Sequence, residues 1–261
     1  MLQMHNRSTI LDSEIEVVLQ QFEDISLQEA MSIDLNTRKE MKFVLAKNIF
    51  LSSLPVLIQH FRLQKNFSGE PVNVYATRYW DTENQKSFTD HVTKRNNRVK
   101  IRKRKYEDSG EVVFEIKRKT NGTTVKKRLT SEKLTELTAA DLLFLEKNNI
   151  VSDNLIHSLD TFYKRITLWD KQLSGRITID FDYGIGLGDK EHEFNHSCII
   201  ECKGNSAFLK KTVKLFSVPL YRYETGFSKY AIGMIHQYEF GSERAKTLLP
   251  VYKNFCKINN V

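Results

Sequence analysis

The sequence has 261 residues, of which 40% are hydrophobic and 28% are charged, which is ordinary for a soluble globular protein that buries its own core. Three cysteines are too few, and odd in number, for a disulfide framework, so we expect reduced thiols and a cytoplasmic location. The formal net charge of +8 indicates a polyanionic partner, and nucleic acid, an anionic membrane and free polyphosphate all fit it.

The sequence carries no pattern of an export signal or a membrane span. Residues 1–14 are polar, without the apolar stretch of a signal peptide. The longest apolar run, Ile49–Ile58, has about half of the roughly 20 residues that a spanning helix needs. With no linker or repeat, residues 1–261 are predicted to form a single domain. Its expected parts are an N-terminal helix at about 12–33, a barrel at about 36–205 and C-terminal helices at about 206–258.

Periodicity predicts the elements in chain order. Apolar residues at helical spacing predict the helices Glu14–Met31, Ile49–Phe61, Thr138–Asn148, Lys229–Phe240 and Glu243–Lys257, the last preceded by Gly241 and the cap candidate Ser242. Alternation with a period of two predicts the strands Arg38–Leu45, Val72–Asp81, Arg98–Tyr106, Glu111–Lys119, Thr123–Thr130, Asp160–Trp169, Gly175–Tyr183 and Ser197–Lys203. Eight strands are enough to close a barrel. The predicted fold is therefore α+β, an eight-stranded antiparallel β-barrel with flanking α-helices.

Cationic side chains recur at every second position of the predicted strands. Successive strand side chains point to opposite faces, so Lys100, Arg102 and Arg104 share one face while Val99 and Ile101 point to the other. Other strands add to the charged face the residues Lys117, Lys119, Lys126, Arg128, Tyr163, Arg165, Arg176, Glu201 and Lys203. By the same parity, Lys103, Lys105 and Arg118 point away from this face, and we expect them to be surface charges.

The charged face has two interpretations. It could be the solvent side of an antiparallel sheet. A solvated face, however, would mix charge signs, whereas here cations recur with only isolated carboxylates, and like charges on neighbouring strands repel. If the sheet closes with this face inward, the unpaired cations are costly to bury unless a polyanion fills the lumen. Because Arg and Lys bind phosphate oxygens strongly, we predict a lumen that binds a linear chain of phosphates.

A set of short motifs, taken in order, resembles the VTC (vacuolar transporter chaperone) domain. The motifs are Arg38–Phe43, Tyr79–Thr82, Ile101–Tyr106, Phe114–Lys117, Tyr163–Arg165, Arg176 ahead of Asp180, Ile199–Lys203 and Phe227–Gly233. No single motif is very specific, but their order along most of the chain is. This family belongs to the triphosphate tunnel metalloenzymes, and its best-known members make polyphosphate from ATP.

The resemblance implies an eight-stranded antiparallel tunnel with basic walls and a set of site residues. It implies that phosphates are held by Lys42, Arg102, Arg104, Lys117, Arg165, Arg176, Lys203 and Lys229, with Lys126 and Arg128 as weaker matches. It also implies that Glu201 holds Mn²⁺ or Mg²⁺. The catalytic candidates are Lys42, Arg102, Arg104, Lys117, Arg165, Arg176 and Glu201. The phosphate-binding candidates are Lys100, Lys119, Lys126, Arg128, Lys203 and Lys229.

The sequence departs from two relatives of this family. The cyclase and thiamine-triphosphatase branch begins with an ExExK triplet, and Arg38 stands where its first Glu would be, which argues against that branch. Eukaryotic members carry an N-terminal phosphate-sensing domain and membrane helices that this sequence lacks, so we expect a stand-alone version. Whether a separate membrane partner receives the product stays open.

Three other features suggest competing sites. Residues His192–His196 spell HExxH, but that zinc motif works only on a helix and the local pattern predicts a strand, so we interpret it as chance. The run Gly184–Gly188 lacks the third glycine of GxGxxG and the lysine of a Walker loop, so we expect a flexible strand connection. Asp180 and Asp182 could bind metal or pair with lumen arginines, and pairing is favoured.

The leading functional hypothesis is a metal-dependent polyphosphate polymerase, an ATP–polyphosphate phosphotransferase that moves the γ-phosphate of ATP to a growing chain. ATP and polyphosphate are its expected partners; nucleic acid and membrane insertion are not expected. Phosphoryl transfer needs positioning and charge neutralisation, so no Ser, Cys or His nucleophile is required. The alternatives are a tripolyphosphatase or nucleoside triphosphatase of the same fold and a non-catalytic polyphosphate-binding protein.

Overall fold

The computed structural model describes residues 13–33, 39–239 and 242–261. In these residues the strands are β1 (Glu23–Ile25), β2 (Lys39–Ala46), β3 (Phe61–Gln64), β4 (Asn73–Thr82), β5 (Arg98–Tyr106), β6 (Val112–Thr120), β7 (Thr123–Ser131), β8 (Leu155–Asp170), β9 (Gly175–Leu187), β10 (Lys190–Phe194) and β11 (Ser197–Gly204). The helices are α1 (Ser13–Leu19), α2 (Leu27–Ser32), α3 (Lys47–His60), α4 (Lys86–Val92), α5 (Ala139–Glu146), α6 (Ser206–Thr212), α7 (Lys229–Tyr238), α8 (Ser242–Ala245) and α9 (Leu249–Asn259), with a 3₁₀ turn at Leu220–Tyr223.

The strands form one sheet of eleven, whose main path is β2-β11-β9-β8-β4-β5-β6-β7. Every neighbouring pair on this path is antiparallel. β10 pairs with β9, and β3 pairs with β8 and, in parallel, with β1. The predicted α+β class, an antiparallel sheet with flanking helices, is confirmed. Across the described residues β2 and β7 do not pair, so the sheet is strongly curved but not strictly closed.

The curvature brings the two ends of the sheet together. A flat sheet would hold β2 and β6 ~29 Å apart, a distance over which salt screens charges. Instead, burial and the charge of Lys42 on β2 lower the pKa of Lys117 on β6. Loss of hydration and the charges of Lys203 on β11 and Lys117 lower the pKa of Lys126 on β7 to about 7. The cations at both ends of the path therefore face a common space.

Helices bury the outer face of the curved sheet. Phe43 and Ile177 of the sheet belong to one apolar cluster with Phe50 and Leu54 of α3. On the far half of the path, Phe114 and its neighbours on β5 and β6 pack with Leu145 of α5. Removing this apolar area from water is the main favourable term that holds the curved sheet in place.

The N-terminal helix predicted over Glu14–Met31 is wrong, because the chain forms α1, β1 and α2 there. Ile25 is fully buried on β1, which pairs with β3, and the Ser26 side chain accepts a hydrogen bond from the Glu29 backbone N–H and so caps α2. Tertiary strand pairing thus overrides the helical spacing of the apolar residues. Residue 12, Arg38, Phe240, Gly241 and the Ser242 side chain lie outside the described part, so the elements predicted there are not tested.

Two connections also differ from the sequence prediction. Most of the glycine run expected to be a flexible connection belongs to β9, which continues to Leu187, so that only Gly188 lies in the turn that follows. A Cβ at Gly184 would overlap the Phe162 ring of β8, so this glycine makes room for an aromatic side chain. The last predicted helix is divided into α8 and α9, because Pro250 lacks a backbone N–H and favours the first turn of a new helix.

Lys103 is not the surface charge that parity suggested. Its side chain is fully buried beneath α5. The Nζ atom donates hydrogen bonds to the Lys133 carbonyl at 2.8 Å, to the Glu136 carbonyl at 2.5 Å and to Asp141 Oδ2 at 2.5 Å. Parity placed Lys103 on the outer face correctly, but it could not predict that α5 covers this position. Lys105, by contrast, is half-exposed and pairs with Glu107.

We predict that Lys103→Met lowers the free energy of unfolding by about 3–5 kcal/mol, because Asp141 would stay buried without its cation. Chemical denaturation measures this value. Lys105→Met on the same strand is the control and should change stability by less than about 1 kcal/mol. The double variant Lys103→Met with Asp141→Leu should recover much of the loss. Equal stability of the two single variants would contradict the prediction.

Candidate functional site

The strand register places the predicted cations on one concave face, which we call the lumen face. Directly paired residues of antiparallel strands point to the same side of the sheet. The pairs that define the lumen face are Lys42–Glu201, Lys203–Arg176, Arg165–Asp180, Arg104–Thr77, Arg102–Glu115, Lys100–Lys117, Arg98–Lys119, Lys117–Lys126 and Glu115–Arg128. All strand residues predicted for the site thus share this face, and Lys229 joins them from α7.

Lys229 reaches the lumen because α7 packs closely on the inner side of the sheet. The Lys229 carbonyl accepts a hydrogen bond from the Tyr183 hydroxyl at 2.7 Å. A Cβ at Gly233 would lie 2.6 Å from Leu159 Cδ2, so glycine permits the close approach of helix and sheet. The Ser228 side chain accepts from the Ala231 backbone N–H and caps the helix. These contacts fix the first turn of α7, and with it the Lys229 side chain.

Among the described residues, four carboxylates lie on the lumen face, and each contacts two cations. Glu40 and Glu201 both pair with Lys42 and Lys203 on β2 and β11. The other two carboxylates are Glu115, held by Arg102 and Arg128, and Asp180, held by Arg165 and Lys229. The acids therefore fix the orientation of the cations. Glu40 and Glu201 balance the charges of Lys42 and Lys203, whereas Glu115 and Asp180 each leave one positive charge unbalanced.

The Glu201 carboxylate is ionised. Burial alone would raise its pKa, but the charges of Lys42 and Lys203 outweigh burial and hold that pKa well below its usual range. Lys42 Nζ lies 3.3 Å from Glu201 Oε2 and 2.7 Å from Glu40 Oε1. The cations of Lys42 and Lys203 likewise lower the pKa of Glu40 against the effects of burial and of Glu201. Two negatively charged carboxylates therefore face the same part of the lumen.

A bidentate ion pair fixes the centre of the lumen face. Arg165 donates from Nε to Asp180 Oδ1 at 2.5 Å and from Nη2 to Asp180 Oδ2 at 2.7 Å, and Lys229 contacts the same carboxylate. This shows the pairing expected for Asp180, whereas Asp182 pairs with Lys47 and Lys164. The fork geometry holds the planar guanidinium in one orientation, which suits a second planar or tetrahedral oxyanion on its free edge.

Two stacked tyrosines form a floor beneath the central cations. Tyr75 and Tyr163 have ring centroids 5.2 Å apart. The Arg104 guanidinium lies 5.0 Å from the Tyr75 centroid, the Arg165 guanidinium 5.3 Å from the Tyr163 centroid and Lys229 Nζ 4.2 Å from the Tyr163 centroid. Aromatic faces attract cations, so these rings partly compensate for the repulsion between the cations above them.

The residues at the β6–β7 end of the lumen face are open to solvent. Parts of the Lys117, Lys126 and Arg128 side chains reach solvent and Lys119 is half-exposed, although the surrounding strands and cations still lower the pKa of Lys117 and Lys126. Arg176 lies on β9, with its guanidinium 5.3 Å from the Trp169 ring centroid. The lumen face is thus open to solvent along the edge strand β7, while α7 and α4 pack against another part of it.

The donor set fits a divalent cation only if a substrate shares in the binding. Across the described part of the chain, no group of three or more His, Cys, Asp and Glu side chains could hold a metal ion. Glu40 and Glu201, however, are ionised and lie on adjacent strands. Mg²⁺ is commonly bound by one or two carboxylates together with phosphate oxygens. The chemistry of these donors therefore fits Mn²⁺ or Mg²⁺ bound together with a phosphorylated substrate.

The competing motifs do not form sites in this structure. His192 and Glu193 of the HExxH string lie on β10, so the helical face that a zinc protease needs is absent from this segment. The three cysteines are free and buried. Burial raises the pKa of the Cys198 and Cys202 thiols well above their usual range, which makes thiolate nucleophiles unavailable. Among the helices that the structure describes, none has the length and apolar character to span a membrane.

Sequence reasoning missed Glu40 and Tyr75 as parts of the site. Glu40 lies two residues before Lys42, so parity places it on the charged face, but a pattern of recurring cations does not single out a carboxylate. Parity also places Tyr75 on the charged face of its strand. Only the pairing of Tyr75 with Tyr163 in the strand register shows that the two rings stack. That contact depends on which strands are neighbours, and no local pattern gives it.

The described residues thus form a curved antiparallel sheet with a cationic concave face. The chain belongs to the VTC domain family, which it matches over residues 37–238. The resemblance drawn from the ordered motifs is confirmed. No curated protein matches the chain.

Solved structures similar to this chain are distant in sequence. A putative adenylate cyclase from Bacillus halodurans is 14% identical with a TM-score of 0.48, and the match covers 77% of this chain and 98% of that one. A putative adenylyl cyclase from Hippeastrum, for which a dominant triphosphatase activity is reported, is 14% identical with a TM-score of 0.46 over 75% of this chain and 95% of its own.

Lys126 gives the site a testable pH dependence. Its pKa of about 7 leaves it mostly neutral at pH 8, and a bound polyanion would raise that pKa. The contribution of Lys126 to binding is therefore complete below pH 7 and is lost as the pH rises through the higher pKa of the bound state. Arg stays charged throughout this range.

We predict that the tripolyphosphate Kd of the wild type, divided by that of Lys126→Arg, rises by up to about tenfold between pH 7 and pH 9. Isothermal titration calorimetry of both proteins measures the two Kd values. Because protonation of tripolyphosphate changes both values equally, it drops out of their ratio. Parallel pH profiles would contradict the prediction.

Proposed function

We propose that this chain is a metal-dependent ATP–polyphosphate phosphotransferase, which transfers the γ-phosphate of ATP to a growing polyphosphate chain in the lumen. The best-known members of the VTC family make polyphosphate from ATP, and the proposal extends that activity to this chain.

The observation that carries the proposal is a concave face with a large surplus of positive charge. Within the described residues, several lumen cations form no ion pair: Arg98, Lys100, Arg104, Lys117, Lys119 and Lys126. Burial and the neighbouring cations lower the pKa of Lys100 well below its usual value, which shows how unfavourable its charge is without an anion. A chain of phosphates would supply that anion.

The shape of the site favours a linear substrate over nucleic acid. A curved sheet with eight strands on its main path encloses a space that side chains nearly fill, which admits a single phosphate chain but not duplex DNA. The charges are also arranged along the whole face, from Arg176 to Lys126, rather than around one point. Such a row suits successive phosphates.

The transfer itself is a displacement at phosphorus. A terminal oxygen of the polyphosphate chain attacks the γ-phosphorus of ATP, the bond from that phosphorus to the β–γ bridging oxygen breaks, and ADP leaves with the electron pair. Arg102, Arg165 and Lys229 would hold the reacting phosphates in line, since their side chains are already oriented by Glu115 and Asp180. The fixed cations would stabilise the charge that spreads over the γ-phosphate oxygens.

Glu201, together with Glu40, would hold Mn²⁺ or Mg²⁺ when substrate is bound. A divalent cation there supplies Lewis-acid neutralisation of the phosphate oxygens. Lys42 and Lys203 keep both carboxylates ionised and so keep them available as ligands. The three free thiols favour a reducing, cytoplasmic setting for the reaction.

The test is incubation of the purified protein with ATP and Mn²⁺, followed by a gel stained for polyphosphate. We expect long polyphosphate with the wild type. Arg102→Ala and Glu201→Ala should each lower the rate by about 100-fold or more, because each removes a charge that acts on the transferring phosphate. Lys105→Ala, on the outer face of the same strand as Arg102, is the matched control and should leave the rate unchanged.

Other outcomes would replace the proposal. Release of orthophosphate without polymer would identify a tripolyphosphatase or nucleoside triphosphatase. Binding of polyphosphate without turnover would identify a binding protein. A preference for duplex DNA over linear polyphosphate would contradict the tunnel itself.

A further inference from the structure

Helix α4 brings one more polar side chain to the lumen, His91. The helix is fixed by Asp81 at the end of β4, whose carboxylate accepts hydrogen bonds from the backbone N–H of Ser87 at 2.8 Å and of Phe88 at 3.0 Å and from the Tyr230 hydroxyl at 2.5 Å. Phe88 belongs to the apolar cluster on the inner side of the sheet. These contacts hold α4 against the part of the lumen face that α7 also covers.

The surroundings of His91 contain cations from both ends of the sheet path. Burial and the charges of Lys100, Arg98, Lys42 and Lys117 lower its pKa to about 2, so the imidazole is neutral. These four residues lie on β2, β5 and β6 and all point into the lumen. The His91 Nδ1 atom is buried and has no hydrogen-bond partner in the described residues.

A buried polar atom without a partner is rare in a folded protein and needs an explanation. The chemistry of the position suggests one. A Lys or Arg here would add to the repulsion among the four cations, and a carboxylate would neutralise them and repel phosphate. A neutral imidazole neither adds to the repulsion nor repels phosphate. It still carries an N–H group that can donate a hydrogen bond to a phosphate oxygen.

We propose that His91 is a further substrate-binding residue, whose imidazole donates a hydrogen bond to the phosphate group held by Lys42, Lys100 and Lys117. This inference rests on the proposed function, because it needs a phosphate chain in the lumen. The site is tied to the rest of the lumen through Lys100, which donates to Ser228 Oγ at 2.9 Å beside Lys229.

The first test is the tripolyphosphate Kd measured by isothermal titration calorimetry. His91→Phe keeps the ring volume and removes the donor, and it should weaken binding by about tenfold. His91→Gln keeps an N–H donor of similar reach and should lose less than about threefold. Lys86→Ala is the control: Lys86 is an exposed residue of the same helix that pairs with Asp90, and its loss should leave the Kd unchanged.

The second test is read on the wild-type protein, and a variant serves only to assign its resonances. The ¹⁵N resonances of the His91 imidazole in the wild type, assigned by their absence from the spectrum of His91→Gln, should shift when tripolyphosphate is added. Equal Kd values for His91→Phe and the wild type, or unshifted His91 resonances at saturation, would overturn the inference.

Failure of this inference can be told apart from failure of the proposed function. If the wild type binds tripolyphosphate and Arg102→Ala weakens binding while His91→Phe does not, only the proposed role of His91 is contradicted. If the wild type itself does not bind tripolyphosphate, the proposed function of the lumen is contradicted as well.

Discussion

Repulsion among the cations of the lumen face is the constraint on which the rest of the structure depends. The curved sheet turns these side chains toward one another, and burial strengthens their mutual repulsion. Four features oppose it: carboxylates shared by two cations each, such as Glu115 and Asp180, the stacked rings of Tyr75 and Tyr163, the neutral His91, and the exposed end on β7. None of them cancels the surplus charge, which is why a polyanionic substrate fits the site.

The apolar clusters hold this unfavourable arrangement in place. α3 and α5 cover the outer face of the sheet, while α7 and α4 cover one end of the inner face. These helices carry functional side chains as well as apolar ones, since Lys229 begins α7 and His91 lies near the end of α4. Packing and substrate binding thus act on the same elements, and a change in helix position would move a lumen side chain directly.

Much of the fold could be predicted because charge and periodicity agree in the central strands. β5 has the predicted bounds Arg98–Tyr106. Its cations alternate with aliphatic residues from Arg98 to Arg102, and extending that alternation assigns every lumen-facing side chain of the strand. What failed depended on distant contacts: Lys103 is buried only because α5 covers it, and β1 forms only because β3 is beside it. The unpartnered His91 was missed for the same reason, because the cations around it come from three different strands.

A crystal structure with tripolyphosphate bound tests the central claim most directly. The account predicts successive phosphates along the lumen face, with oxygens within hydrogen-bond distance of Arg102, Arg165 and Lys229. Tripolyphosphate bound instead on the outer face, or on the exposed side of β7 with the lumen free of phosphate, would contradict it.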